Sequence, residues 1–375
     1  MITIEKVRTN KQKKDFVNFP LKLYKDNPYF VPCLYGEEMN VCNHKTPYEK
    51  VSESELFLAY DGKKVVGRIQ GIIQKQFNDL YNEKRVRFTR FDSIDDVNVS
   101  RALFDALETW AKEKGMETCC GPLGYSDFER EGLLIEGFDQ NQTFEEQYNY
   151  DYYQKLIEDR GFVKEVDWVE SQIFLPNQVD PKIDKLAKLI LKKYDLSIVD
   201  TQHISKKQFL KKYGDAFFDC VTDAYMELYG YVPFTEETRT MIIKSFFPII
   251  DLKQAFFVQD KNEKIVGLAL TFPGVGKALK KSKGKLTPLA LLRLLKVFKD
   301  PETVDFALIG VNKEYKNSGL TAVFVAEVVR NFQAYKHLHH LETNLNLEDN
   351  VAIRNMWNRF ESIENKRRRS FVKKI

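Results

Sequence analysis

The chain has 375 residues, 43% of them hydrophobic, which is more than one core usually holds, so two or more domains are expected. Lysine and arginine number 58 against 54 acidic residues, and a net charge of +4 gives no footing for a nucleic-acid partner. No run reaches the length of a bilayer span and Met1 to Glu5 lacks the pattern of a secretory signal, so no membrane partner and a cytoplasmic setting are expected.

In chain order, residues 56–71 read as strand, Asp-Gly turn and strand, a β-hairpin. Residues 86–91 form a strand. Residues 95–114 form a helix carrying Leu103, Ala106, Leu107 and Trp110 at helical spacing and ending on Gly115. Cys119 and Cys120 fall in a strand as buried small residues; with Cys33, Cys42 and Cys220 they show no CxxC pair or disulfide spacing. A helix over 152–160 closes on Gly161-Phe162 and leads to a strand at 168–174. The polar, proline-bounded stretch 176–181 reads as a linker.

A helix over 214–228 precedes a second hairpin at 255–270. It repeats the plan of the first and places Val-Gly (Val66-Gly67, Val266-Gly267) at the same point of its second strand. A missing side chain there signals a bulge or a close backbone approach. The repetition indicates duplicated domains over 1–176 and 182–375. Residues 275–300 interrupt the second copy. Their Leu289, Leu291, Leu292, Leu294, Leu295 and Phe298 suggest a helix packed on the domain body, with a lid or a homodimer contact as the alternatives. A strand at 306–311, a helix at 320–332, a strand at 338–347, a helix at 350–359 capped by Asn350, and a strand at 370–375 complete the chain. His337, His339 and His340 cluster without a nearby cysteine, and no metal is expected.

The turn between 311 and 320 is basic and contains Gly319. Running from a strand into a helix, it directs backbone N–H groups and the positive helix end at one spot, which suits a phosphate. The order hairpin, strand, phosphate turn, helix, strand, helix, strand resembles the GNAT superfamily of acyl-CoA-dependent N-acyltransferases, present twice. A likeness to uncharacterised bacterial GNAT-like proteins rests on Pro20 to Tyr24, Asn27 to Pro32, Val66 to Ile69, Gly132 to Asp139, and Tyr148 to Tyr153 through Gly161-Phe162. The implied fold class is α/β, a mixed α+β sheet with two GNAT-like domains in tandem. The implied co-substrate is acetyl-CoA or another acyl-CoA, with a small-molecule or peptide amine as acceptor.

The family's Gln/Arg-x-x-Gly-x-Gly/Ala motif maps onto Lys316, Asn317, Ser318, Gly319, Leu320 and Thr321, with Lys for Arg and Thr for the last Gly. In the first copy the corresponding stretch 92–100 lacks glycine and carries three acids, which repel a pyrophosphate. The resemblance implies an oxyanion donor from the strand backbone at Ile309 to Val311, splayed from 341–345. It also implies a contact of Asn350 with the pantetheine arm, and an acceptor pocket lined by Tyr225, Tyr229 and Tyr231. Glu342 is the candidate general base, on one strand face with Asn344 and Asn346. The family's general acid is a Tyr seven residues after that Asn; here the position is Trp357, which cannot protonate a thiolate. The alternatives are a non-catalytic CoA- or peptide-binding protein and, last, a transferase using a tRNA-borne donor.

Overall fold

Thr9 opens the first helix with a capping box: its Oγ1 accepts from the Gln12 N–H at 3.2 Å, and the Gln12 side chain accepts from the Thr9 N–H at 2.8 Å. The computed structural model describes residues 1–375 apart from 246, 248, 249 and 334. It runs β1 (Ile2–Lys6), α1 (Asn10–Leu23), α2 (Tyr35–Cys42), β2 (Ser52–Asp61), β3 (Lys64–Gln74), α3 (Lys75–Tyr81), β4 (Arg85–Ser93), α4 (Val97–Glu113), β5 (Thr118–Gly121), β6 (Leu133–Glu136), α5 (Tyr152–Glu158) and β7 (Val163–Phe174). There follow α6 (Pro181–Lys193), β8 (Ser197–Ile198), α7 (Lys206–Tyr225), α8 (Glu236–Ser245), β9 (Phe256–Gln259), β10 (Ile265–Pro273), α9 (Gly276–Ser282) and α10 (Pro288–Lys299). The chain ends with β11 (Thr303–Val311), α11 (Thr321–Phe332), β12 (His340–Glu342), β13 (Asn346–Leu347), α12 (Val351–Trp357) and β14 (Glu361–Lys374).

The chain divides into two units, neither of them continuous. The first holds Met1–Val169, Val275–Leu294 and Asn365–Ile375; the second holds Glu170–Gly274 and Leu295–Glu364. The repeat in the sequence implies two continuous stretches, 1–176 and 182–375, but the closing strands are exchanged. The last strand, β14, pairs with β5 in the first unit from Phe371↔Gly121 to Lys374↔Thr118. The end of β7 pairs with β12 in the second, Leu341↔Ile173 and Glu342↔Gln172. Thus the strand order within the first unit is β1-β2-β3-β4-β5-β14, and within the second, from the end of β7, it is β7-β12-β11-β10-β9-β8.

The repeated Val-Gly has the same physical role twice. In β3 the register slips by one residue at Val66, and in β10 it slips at Val266. A Cβ on Gly67 would meet Leu103 at 2.8 Å, and one on Gly267 would meet Leu320 at 2.8 Å. Each bulge therefore brings its strand against the helix that follows the core strand, and only glycine fits.

Several elements differ from their expected bounds. The linker ends in a helix, since Pro181 is the first residue of α6 under an Asp180 cap. The expected strand over 338–347 is broken into β12 and β13, and the expected strand over 370–375 begins nine residues earlier as β14. The insertion forms two helices; Ala290 is buried and Leu294 and Phe298 are half-buried, as packing on a body requires, while Leu289, Leu291, Leu292 and Leu295 face solvent. Cys119 and Cys120 are buried. No helix among the described residues is long and apolar enough to cross a membrane.

The first unit encloses a polar cluster within its aromatic core. Arg68 on β3 donates to Asp92 at 2.7 Å and to Glu38 at 3.3 Å, and Arg90 on β4 donates to Glu38 at 2.9 Å. The Tyr24 hydroxyl donates to Asp92 at 2.9 Å and lies 2.7 Å from the Tyr153 hydroxyl. Burial alone would raise the Glu38 carboxyl, but Arg90 and Arg68 outweigh it and hold the group down to about 2. The cluster thus ties α1 and α2 to the sheet.

Deleting residues 365–375 should abolish amide-exchange protection of Thr118–Gly121 and Leu133–Glu136, while Phe371→Ala should destabilise the first unit by about 3–5 kcal/mol; loss confined to Glu170–Gly274 would contradict the strand exchange. Because the folded Glu38 pKa is depressed, its stabilisation is present above the ordinary value of 4.5 and lost as pH falls toward about 2. Denaturant unfolding should therefore show Glu38→Gln weaker than wild type by about 3–5 kcal/mol at neutral pH, the gap closing through that acid window.

Candidate active site

In the second unit β11 outlasts its parallel neighbour. β11 and β12 pair from Thr303↔His340 to Asp305↔Glu342, and β12 then stops. On its other side β11 stays paired with β10, Ala269↔Ile309 through Gly267↔Val311. A strand that loses its neighbour must satisfy its backbone elsewhere. Ile309 does so on one side chain: its N–H donates to the Tyr225 hydroxyl at 3.1 Å, and that hydroxyl donates back to the Ile309 carbonyl at 3.1 Å. A Cβ on Gly310 would come within 2.9 Å of Ala224, so a glycine lets α7 approach this closely.

Beyond Val311 the chain makes a short 3₁₀ turn over Lys313–Tyr315. The Lys313 N–H donates to Asp223 at 2.7 Å. Ser318 then folds onto the turn, its hydroxyl donating to the Tyr315 carbonyl at 2.7 Å and accepting from the Leu320 N–H at 3.1 Å. Gly319 takes φ +82° in the left-handed region, where a Cβ would meet Ile190 at 3.1 Å. Among the described residues the amides of Gly319 and Thr321 receive no intrachain acceptor, and Lys316 and Asn317 are exposed. The turn therefore fits an anion through two amides and a lysine, while Ser318 takes the Leu320 amide. The first unit differs. Asp96 caps α4 by accepting from the Asn98 N–H at 2.8 Å, and its own amide is spent on the Ile94 carbonyl. The bond of the Ile94 N–H to the Val66 carbonyl is shared, recurring as Asn312 to Val266.

Glu342 ends β12 nearly buried, accepting from the Gln172 amide at 3.0 Å and lying 2.9 Å from His340 Nε2. Its expected alternation with Asn344 and Asn346 does not hold, because the strand stops at Glu342. Asn350 caps α12, its Oδ1 accepting from the Ile353 N–H at 3.3 Å. Trp357 is a core residue, its ring 4.8 Å from Phe306 and its indole N–H donating to Asn346 at 3.4 Å. The three tyrosines do not form one wall: Tyr225 holds Ile309, Tyr229 is half-buried outside α7, and Tyr231 is fully buried. Tyr225 at the end of α7 thus meets Ile309 on β11, the strand that runs into the 316–321 turn and α11. Tyr231 and Trp357 stay in the core.

Sequence reading gave no role to a cavity of about 50 Å³ in the first unit, lined by Arg68, Arg90, Arg130, Glu38, Asp92 and Tyr148. Arg130 there donates to the Val31 and Phe144 carbonyls at 3.3 and 2.6 Å. The one available signal was an arginine inside an otherwise apolar strand, Val66-Gly-Arg-Ile69. Burying it requires carboxylate partners, and these come from distant segments.

No model of a known protein family matches the chain. Protein YghO of Escherichia coli (strain K12) is 27% identical over 381 residues, covering 98% of this chain and 95% of that protein. Bacterial ceramide synthase of Caulobacter vibrioides (strain NA1000 / CB15N) is 27% identical over 329 residues, covering 84% of this chain and 82% of that protein. Among solved structures, a tandem GNAT protein from the clavulanic acid biosynthesis pathway matches with TM-score 0.56 at 10% identity, over 100% of this chain and 98% of that one. The chain has the mixed α/β fold of a tandem GNAT protein.

Proposed function

We propose that this protein is an N-acyltransferase that takes its acyl group from CoA in the second unit and delivers it to an amine on a long aliphatic chain. The observation that carries the donor assignment is the departure of β11 from β12 after Asp305 and Glu342, leading directly into the Gly319 turn. The relative named a ceramide synthase supports the acceptor class, since a ceramide is the amide of a fatty acid with a long-chain amine.

In this reading the Gly319 and Thr321 amides and Lys316 receive the pyrophosphate. The thioester carbonyl takes the Ile309 N–H, displacing the Tyr225 hydroxyl, so that the amide meets the oxyanion as it forms. Glu342 accepts a proton from the substrate ammonium, and the freed amine attacks the carbonyl carbon. The C–S bond breaks and the amide forms, keeping one of the two amine protons; the other is released and, directly or through water, balances the thiolate as CoA thiol. Trp357 supplies no proton, which requires the thiolate to be protonated from water or from the amine itself.

A second reading, a CoA-binding protein without turnover, is favoured by Trp357 in the place of an acid and by Tyr225 on the Ile309 backbone. Release of free thiol from palmitoyl-CoA with a long-chain amine separates the two readings.

Calorimetric titration of CoA should show binding to wild type and at least tenfold weaker binding to Gly319→Trp; no wild-type binding, or equal binding by both, would remove the donor site from this turn. Tyr225→Phe deletes the competing hydroxyl and should bind acyl-CoA roughly 5-fold to 30-fold tighter, the effect of one or two hydrogen bonds. Weaker binding by that variant would instead make Tyr225 a ligand contact. Glu342→Gln should keep CoA affinity and lose turnover by about 10²-fold or more.

A further inference from the structure

We propose that helix α10 and the basic segment before it dock the protein onto an anionic phospholipid surface. The helix is apolar on both faces: Ala290 is buried and Leu294, Val297 and Phe298 are half-buried, yet its outer face carries leucines as well. Only Ala290 of its residues is buried, whereas Leu289, Leu291, Leu292 and Leu295 are 57%, 48%, 64% and 63% exposed. At 100° per residue these leucines share the arc opposite Ala290, with Lys296 and Lys299 among them. Leu286, just before the helix, is 54% exposed. So many leucines together on one water-facing patch mark an interaction surface.

Charge identifies the occupant. Residues 274–299 contain eight lysines and arginines and no aspartate or glutamate, in a chain whose whole net charge is +4. Leucines flanked by long cationic side chains suit the boundary of a bilayer, where the leucines enter the acyl region and the lysines reach back to the phosphates. A second copy laid on the same helix would oppose like charges along its length, which disfavours a dimer.

The segment is held in place. Within the first unit the Tyr35 N–H donates to the Gly284 carbonyl at 2.9 Å, and Lys280 donates to the Asn27 carbonyl at 2.9 Å. Gly284, at φ +73°, lies so close to the Cys33 carbonyl that a Cβ would come within 1.9 Å. The helix is thereby presented from a fixed base. Span length, the ground for expecting no membrane partner, does not bear on a helix lying in the interface. The use of such docking rests on the proposed function, because a long-chain amine resides in a bilayer; the docking itself does not.

Flotation of the full chain with vesicles, without CoA or acceptor, tests this. Vesicles of phosphatidylcholine mixed equally with phosphatidylglycerol should carry the protein, vesicles of phosphatidylcholine alone should not, and added salt should release it. Lys296→Gln with Lys299→Gln should weaken binding roughly 30-fold. Leu292→Ser with Leu295→Ser should also weaken it, without lowering the melting temperature, since both side chains are exposed. No binding, equal binding to neutral vesicles, or full binding by both variants would overturn the proposal. So would a dimer in sedimentation that Leu292→Ser dissociates. Activity on a short, water-soluble amine reads the transferase independently, so either idea fails without the other.

Discussion

A strand that outlasts its neighbour must find new partners for its N–H and C=O groups, and in this protein the candidate chemistry depends on how β11 does so. β12 stops at Glu342, and Ile309 then has one side unpaired by sheet. The Tyr225 hydroxyl fills that place by both donating and accepting. A phenol is suited to the task because it has one proton to give and lone pairs to receive. It also leaves the backbone recoverable, since a ligand carbonyl and amide offer the same pair of bonds. Gly310 allows α7 near enough for the contact, and Gly319 turns the chain into α11 with its own amide and that of Thr321 among those left over.

Duplication explains why the two units share so much and differ where it matters. Both carry the Val-Gly bulge against the following helix. Both also spend the first amide after the core strand on the bulge carbonyl, Ile94 on Val66 and Asn312 on Val266. At the helix start they part: the Asp96 carboxylate caps α4 through the Asn98 amide, whereas α11 has no side-chain cap and begins after Gly319. The first unit instead invests its polar groups in a buried cluster of Arg68, Arg90, Glu38 and Asp92 beside its cavity. Exchange of β14 and the end of β7 makes each unit's sheet depend on the other copy's strand.

What the sequence disclosed was local. Alternation and an Asp-Gly turn defined the first hairpin, and the repeated Val-Gly foretold the bulge and close approach found at Gly67 and Gly267. The basic glycine turn was legible because its chemistry lies within a few consecutive residues. Pairing across long sequence separation was not. Nothing near 361–374 states that this strand joins β5, and nothing near Arg68 names Glu38 or Asp92 as its partners. The leucines of α10 gave the element but not its cover, because periodicity reports an apolar face and not what lies against it. Tyr225 reads from sequence as an acceptor contact, and in the fold its hydroxyl bonds the strand backbone 84 residues away. Trp357, marked as an odd residue for an acid's position, packs on Phe306 in the core.

The central claim is that the second unit receives acyl-CoA on the Ile309 backbone and the Gly319 turn. Amide hydrogen exchange of the wild-type protein, with and without palmitoyl-CoA, tests it residue by residue. The account predicts new protection at Gly319 and Thr321, with Ile309 retained in a bond, and no change at the capped start of α4. Protection at 93–99 with none at 309–321 would contradict it.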